Sequence, residues 1–277
     1  VSAVATAADV LAGTRRNALL VGDCLDGLHS LPDGCVQTCV TSPPYLGLRD
    51  YGMPGQIGQE GSPRAFADAL VAVFAEVRRV LRDDGTLWLN LGDSYANDGK
   101  WGGATSGKHA KGMHGATGAG RAKRTTGLKP KDLMGVPWRV AFALQDAGWW
   151  LRSDIIWSKP NPMPESVTDR PTRAHEYLFL LTKSERYFYD ADAIREPTQS
   201  IERPNHDGVR GILPKSQIPG QSAQNGRAGN HPMGRNARTV WTITPEPFDG
   251  AHFATMPPEL ARRCILAGSR RGDVVLD

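Results

Sequence analysis

Apolar positions along this chain recur with two periods, and the switches between them predict most of its secondary structure. Residues 36–40, Val-Gln-Thr-Cys-Val, form a brief apolar run that reads as a buried strand. Residues 18–21, Ala-Leu-Leu-Val, read the same way and close on Gly22-Asp23. Between the two, Leu25, Leu28 and Leu31 recur every third position, predicting a short one-sided helix that stops at Pro32-Asp33-Gly34. The clearest helix opens at Ser62-Pro63, with Ser at the N-cap and Pro in the first turn. Phe66, Leu70, Val73, Phe74, Val77, Val80 and Leu81 then fall three and four apart, and Asp83-Asp84-Gly85 ends the pattern. Residues 86–91 follow as a strand closed by Gly92-Asp93. Strand, helix and strand from 36 to 91 predict a right-handed parallel crossover.

The second half continues the alternation. Residues 132–148 read as a helix in which Pro137 forces a kink or a late start, with Val140, Ala141, Leu144 and Ala147 on its apolar side. Strands are predicted at 149–157, 176–182, 187–190 and 240–243. Pro257-Pro258 opens a helix over 259–267, with Leu260, Cys264 and Leu266 inward, and a strand begins at 274. Two stretches carry neither period. Residues 97–131 are rich in Gly, Lys and Arg; residues 191–237 are rich in Pro, Gly, Asn, Gln and Arg. The second is too polar for a core of its own. The expected organisation is an α/β catalytic domain over 1–190 with a basic loop at 97–131, a polar insert at 191–237, and a return to the domain at 238–277.

Composition narrows this picture modestly. The chain has 277 residues, 40% hydrophobic and 22% charged, which suits one large α/β domain. A net charge of +4 permits a nucleic-acid partner without requiring one. Cys24, Cys35, Cys39 and Cys264 lie among apolar neighbours and lack zinc spacing, so they read as reduced core thiols and no metal site is expected. No apolar run is long enough to cross a membrane, and the opening residues are wrongly ordered for a secretory signal, so a cytoplasmic location is expected. Gly102-Gly103-Ala104-Thr105-Ser106-Gly107-Lys108 imitates a phosphate-binding loop. His109 replaces the metal-ligating hydroxyl and no strand leads in, so that reading is rejected.

The chemistry concentrates in Thr41-Ser42-Pro43-Pro44-Tyr45, directly after the strand at 36–40. Two prolines there end the strand in a stiff extended turn, which sets a hydroxyl, free carbonyls and an aromatic ring at the edge where open α/β sheets bind ligands. Alone, the stretch is equally a plain strand-ending turn. It resembles the catalytic motif of the β-class DNA amino-methyltransferases, which methylate cytosine N4 or adenine N6. The resemblance continues through Arg49-Asp50-Tyr51-Gly52, Gly58-Gln59-Glu60, the run from Trp157 to Ser166, Arg170-Pro171-Thr172 and His175-Glu176. It extends to residues 252–260, which are similar to the segment packing on the methionine end of the cofactor.

That resemblance implies a Rossmann-like, S-adenosylmethionine-dependent sheet with helices on both faces and a circularly permuted motif order. Ser42, Pro43, Pro44 and Tyr45 would be catalytic: Ser42 Oγ and the Pro43 carbonyl accept the two N–H bonds of the base amine, and Tyr45 stacks on the extruded base. Asp23, Thr41, Phe253, Thr255, Met256, Pro257 and Asp277 would contact the cofactor; Asp23 is equally a helix N-cap. Arg49, Lys108, Lys111, Arg121, Lys123, Arg124, Lys159 and Asn161 would meet double-stranded DNA. Arg49 is equally half of a surface ion pair with Asp50, and Lys159 equally meets solvent or a phosphate. Ser at the first motif position leans toward cytosine N4, with adenine N6 open. A cognate restriction endonuclease is a possible partner. The family's cofactor-cradling glycine loop would follow residue 277, so a C-terminally truncated chain is expected, with an unpaired edge beside residues 18–21. A DNA-binding fragment without turnover is the alternative.

Overall fold

The structure is a computed structural model, and it describes residues 5–48, 52–96, 127–197, 232–248 and 255–277. In chain order the elements are α1 (Ala7–Leu11), α2 (Cys24–His29), β1 (Val36–Thr41), α3 (Pro63–Val80), β2 (Leu81–Leu91), α4 (Val136–Asp146), β3 (Trp150–Ser158), β4 (His175–Thr182), β5 (Val240–Thr242), α5 (Pro258–Gly268) and β6 (Val275–Leu276). Local chemistry accounts for their ends. Ser62 Oγ accepts the Ala65 N–H at 3.1 Å to open α3. Asp23 Oδ1 accepts the Leu25 N–H at 2.8 Å to open α2. Arg79, in the last turn of α3, donates to the Leu28 and Leu31 carbonyls and so ties down the far end of α2.

The six strands form one sheet in the order β5-β3-β4-β2-β1-β6. β1 pairs in parallel with β2 and β6, and β3 in parallel with β5; β4 runs against both of its neighbours, β2 and β3. The single reversed strand decides what reaches the ligand edge. Thr41 pairs with Leu89, Leu91 with Tyr177, and His175 with Ser158, which pairs onward with Thr242. One edge therefore gathers the carboxyl ends of five strands and the beginning of β4.

Strand alternation divides the core between two faces. Cys39, Leu87, Leu89, Leu91, Phe179 and Leu181 pack with Phe66, Leu70, Phe74 and Val77 of α3 and Val140, Ala141 and Leu144 of α4. The opposite face carries Thr38, Thr86, Trp88 and Leu180 and receives α5 through Leu260, Cys264 and Ala267. Contact there is close. A Cβ on Gly268 would stand 2.7 Å from both Thr38 Oγ1 and Thr86 Oγ1 and 2.8 Å from Trp88 Nε1. Helices thus cover both faces, as expected.

Several boundaries differ from the sequence reading. Residues 18–21 form no strand: Leu19 is 77% and Val21 91% exposed, and Leu20 folds back toward Gly27 of α2. With no ladder to join, the run gains nothing by extending, and the anticipated unpaired strand edge does not arise there. Residues 187–190 make single bonds to two different segments, Phe188 N–H to the Asp84 carbonyl and Asp190 N–H to the Ala267 carbonyl, rather than a ladder. Asp83-Asp84-Gly85 lies inside β2 as an irregularity between Leu81 and Thr86, where the β1–β2 register shifts. α4 takes the late start, with Pro137 in its first turn, and ends before Ala147, which is exposed. On α5 it is Ala267 that points inward, while Leu266 faces out. Cys39 and Cys264 are core thiols, but Cys24 is exposed.

The chain clusters into two units, Val1–Asp190 with Arg238–Asp277, and Ala191–Ala237. Within the larger unit, the segment after β2 and the segment before α4 meet. Ala96 and Met134 donate backbone N–H groups to the Asp132 and Ser94 carbonyls at 2.8 and 2.9 Å, Lys131 donates to the Ala96 carbonyl at 2.9 Å, and Tyr95 bridges Leu133. In the smaller unit, an antiparallel bridge joins Glu196 to Arg235, and Arg195 donates to Asp192, to the Gly234 carbonyl and to Asn236.

Candidate active site

The turn after β1 is held at three points. Leu46 is buried, the Tyr45 carbonyl accepts the Leu48 N–H at 3.2 Å, and the Gly58 carbonyl accepts the Gly47 N–H at 2.8 Å. Gly58 has φ +93°, and a Cβ there would lie 3.0 Å from the Tyr45 carbonyl oxygen, so a glycine lets this loop close on the motif. Ser42 is exposed at the sheet edge, while Pro43 and Pro44 are half-buried.

Tyr45 turns inward. Its hydroxyl donates to Glu176 Oε2 at 2.6 Å, with Asn90 Oδ1 a second acceptor at 3.3 Å, and receives a long bond of 3.5 Å from Ser42 Oγ. Asn90 is itself fixed by donating to the Tyr177 carbonyl at 3.1 Å. Gly92 lies against the ring edge, where a Cβ would come within 2.6 Å of Tyr45 Cε2. Burial and the adjacent Glu176 carboxylate push the Tyr45 phenol well above its ordinary value, so it stays a neutral donor.

Glu176, the second residue of β4, also accepts from Lys159 Nζ through Oε1. The Lys159 ammonium lies 4.2 Å over the Trp157 ring, and Trp157 Nε1 donates to the Ile243 carbonyl at 2.8 Å. One N–H of the Lys159 ammonium is thus directed at Glu176, which leaves two further donors on the same nitrogen. Beside them, Asp93 Oδ1 accepts the Ser94 and Val136 N–H groups at 2.9 and 3.0 Å. Asp93 thus caps α4 from a distance, since the N-cap residue Gly135 has no side chain to do so. Arg173 approaches its other oxygen at 3.7 Å. Burial and the nearby Arg173 cation lower the pKa of His175.

The predicted residues are distributed unevenly. Ser42, Pro43, Pro44, Tyr45 and Lys159 come together at the edge; Asn161 follows on the exposed loop. Thr41 ends β1, and Asp277 follows β6, the strand beside it. Thr255, Met256 and Pro257 lead into α5, whose last residue lies by Thr38 near the start of β1; eleven residues of helix, about 16 Å, carry its beginning back toward the ligand edge. Pro257, the N-cap of α5, makes no side-chain cap bond. Asp23 opens α2 at the end away from Arg79. The carboxylates of Asp23 and Asp277 are acceptors whose chemistry fits the hydroxyl and ammonium groups of an amino-acid nucleoside. Phe253, Arg49, Lys108, Lys111, Arg121, Lys123 and Arg124 lie outside the described residues. Asn90 and Glu176 were not predicted as site residues. Their signal was a polar residue inside the apolar Leu-Trp-Leu-Asn-Leu run and an acid at the head of a buried strand.

A family model described as DNA methylase matches residues 36–277. The Type II methyltransferase M.Cfr9I of Citrobacter freundii is 50% identical over 94% of this chain and 75% of its own length. M.XycI of Xanthomonas campestris pv. cyanopsidis, also a Type II methyltransferase, is 52% identical over 95% of this chain and 76% of its own. Among solved structures, the PvuII DNA methyltransferase, described as cytosine-N4-specific, superposes with a TM-score of 0.58 at 17% identity, over 93% of this chain and 72% of that one.

Proposed function

The chain belongs to the DNA methylase family, and from that premise we propose that it methylates cytosine N4 in a specific DNA sequence, using Ser42, Pro43 and Tyr45 at the head of the sheet. The observation that carries this reading is the exposed Ser42-Pro43 turn beside a Tyr45 ring fixed at its hydroxyl, all on the edge where strand ends converge. S-adenosylmethionine, when bound, supplies an electrophilic methyl group on sulfonium. Asp23, Thr41, Asp277 and the start of α5 are the groups that would hold it.

A base amine is a weak nucleophile because its lone pair is delocalised into the ring. Ser42 Oγ and the Pro43 carbonyl each accept one of its N–H bonds, favouring the pyramidal nitrogen whose lone pair is free. The reactive geometry is fixed in advance, and no covalent enzyme intermediate is needed. Tyr45 offers a ring face to the base once it leaves the duplex. Neutral Tyr45 is the form that keeps its bond to Glu176.

Cytosine N4 is favoured by the serine at the first motif position, and the PvuII neighbour is described as cytosine-N4-specific. The Type II relatives support a role beside a restriction endonuclease that reads the same sequence. Expressing the full reading frame that contains this chain, then resolving the nucleosides of the host DNA by mass spectrometry, tests the reading. N4-methylcytosine is expected. N6-methyladenine would overturn the choice of base, and unmodified DNA would overturn the reaction.

A further inference from the structure

Glu176 stands where three elements meet. Tyr45 comes from the turn after β1, Lys159 from the end of β3, and Glu176 itself from the start of β4, which the reversed direction of that strand brings to the ligand edge. Its carboxylate is only 17% exposed and the Lys159 side chain 20%. Shielded ion pairs of this kind contribute little net stability, because desolvation offsets their attraction. What the pair does accomplish is directional.

A phenol has one proton. At 2.6 Å from Glu176 Oε2, against 3.3 Å from Asn90 Oδ1, that proton is committed to the carboxylate. The Tyr45 oxygen then turns its lone pairs outward, and Ser42 Oγ donates its own proton to them across 3.5 Å. With its proton directed inward, Ser42 presents lone pairs to the outside, which is what an acceptor of an amine N–H must present. Remove Glu176 and the order inverts. Tyr45 is free to donate toward Ser42, and the serine proton turns outward to face the amine hydrogens.

We propose that Glu176 is a positioning residue for methyl transfer: through the Tyr45 hydroxyl it fixes the ring that receives the base and aims Ser42 as an acceptor, while Lys159 holds the carboxylate in place. The proposal rests on the reading of Ser42 and Tyr45 given above. It goes beyond that reading by giving Glu176 the task of aiming Ser42 as an acceptor and Lys159 that of holding Glu176.

The test is a double-mutant cycle on the full chain, measuring kcat and KM for DNA. Glu176→Ala and Tyr45→Phe each remove one end of the same charge-assisted bond, so each lowers kcat by about tenfold to a hundredfold with KM little changed. In the Tyr45→Phe background, Glu176→Ala adds almost nothing further. Glu176→Gln, which keeps an acceptor oxygen, recovers part of the loss. Multiplicative losses in the double variant, or a loss confined to KM, would overturn the proposal.

A second measurement does not depend on turnover. With tyrosine labelled at Cζ, the Tyr45 resonance titrates at high pH in the wild type and moves toward the ordinary tyrosine range in Glu176→Ala. An unmoved titration means the contact is not made, and that also overturns the proposal. Failure of the underlying reading looks different, because Ser42→Ala and Tyr45→Ala would then both methylate at the wild-type rate.

Discussion

β2 and β3 flank the same reversed strand, yet they are built on opposite terms. From Gly85 onward β2 is buried throughout, with Leu87, Trp88, Leu89 and Leu91 all inaccessible, because α3 and α4 cover one face and α5 the other. β3 alternates, with Trp150, Arg152 and Asp154 exposed and only Ile155 and Trp157 buried. The flank containing β1 and β2 delivers the groups expected to react, on a layer that cannot yield. β3 leads to Lys159, and the buried β4 between the two flanks delivers Glu176; both side chains bear on those groups from the side. The reacting groups and Lys159 thus follow differently packed strands of one sheet.

Four experiments would break or sharpen that contrast. Leu89→Ala in β2 should cost about 2–5 kcal/mol in urea unfolding, while Leu151→Ala in β3 should cost clearly less, since Leu151 is only half-buried. Equal losses would erase the distinction between the flanks. Ser42→Ala should lower kcat about a hundredfold, roughly 2.7 kcal/mol of barrier, with little change in unfolding free energy because Ser42 is exposed. A drop in stability of similar size would mean the turn supports the fold rather than the chemistry.

Two glycines separate the same effects more finely. Gly92→Ala and Gly268→Ala should each cost about 1–3 kcal/mol through overpacking. The first presses on the Tyr45 ring, whereas the second presses on Thr38, Thr86 and Trp88. Only Gly92→Ala should also depress kcat in the protein that remains folded.

The smallest effect belongs to Glu259, at the start of α5. Hydrogen bonds from Arg262, and then from Arg263, hold its carboxyl down at about 2. A folded pKa below the unfolded one, near 4.3, gives stability that is complete above the unfolded value and lost as pH falls through the folded value. Glu259→Gln should therefore be less stable than wild type at pH 6 by no more than about 0.5 kcal/mol, given its exposure to solvent, and the gap should close between about pH 5 and pH 2.

Much of this was legible in the sequence because helix caps and apolar periods are local. Ser62 opening α3, Asp23 capping α2, and the Thr41–Tyr45 turn after a buried run all announce themselves within a few residues. The misreadings share a cause: they concern what a segment meets far away in the chain. Residues 18–21 have strand composition but no ladder to enter. Asp83-Asp84-Gly85 has turn chemistry, yet it sits inside β2, where a Cβ on Gly85 would lie 3.0 Å from the Gln37 carbonyl oxygen of β1. Glu176 looked like the polar end of a strand because Tyr45, the partner that gives it a role, lies 131 residues earlier.

The neck formed by Ala96, Lys131, Asp132 and Met134 carries one last implication. Its paired backbone holds the segment after β2 against the segment before α4. The neck is thus a clasp: it keeps the carboxyl end of β2 beside the approach to α4, so that Asp93 and the helix it caps move as one piece.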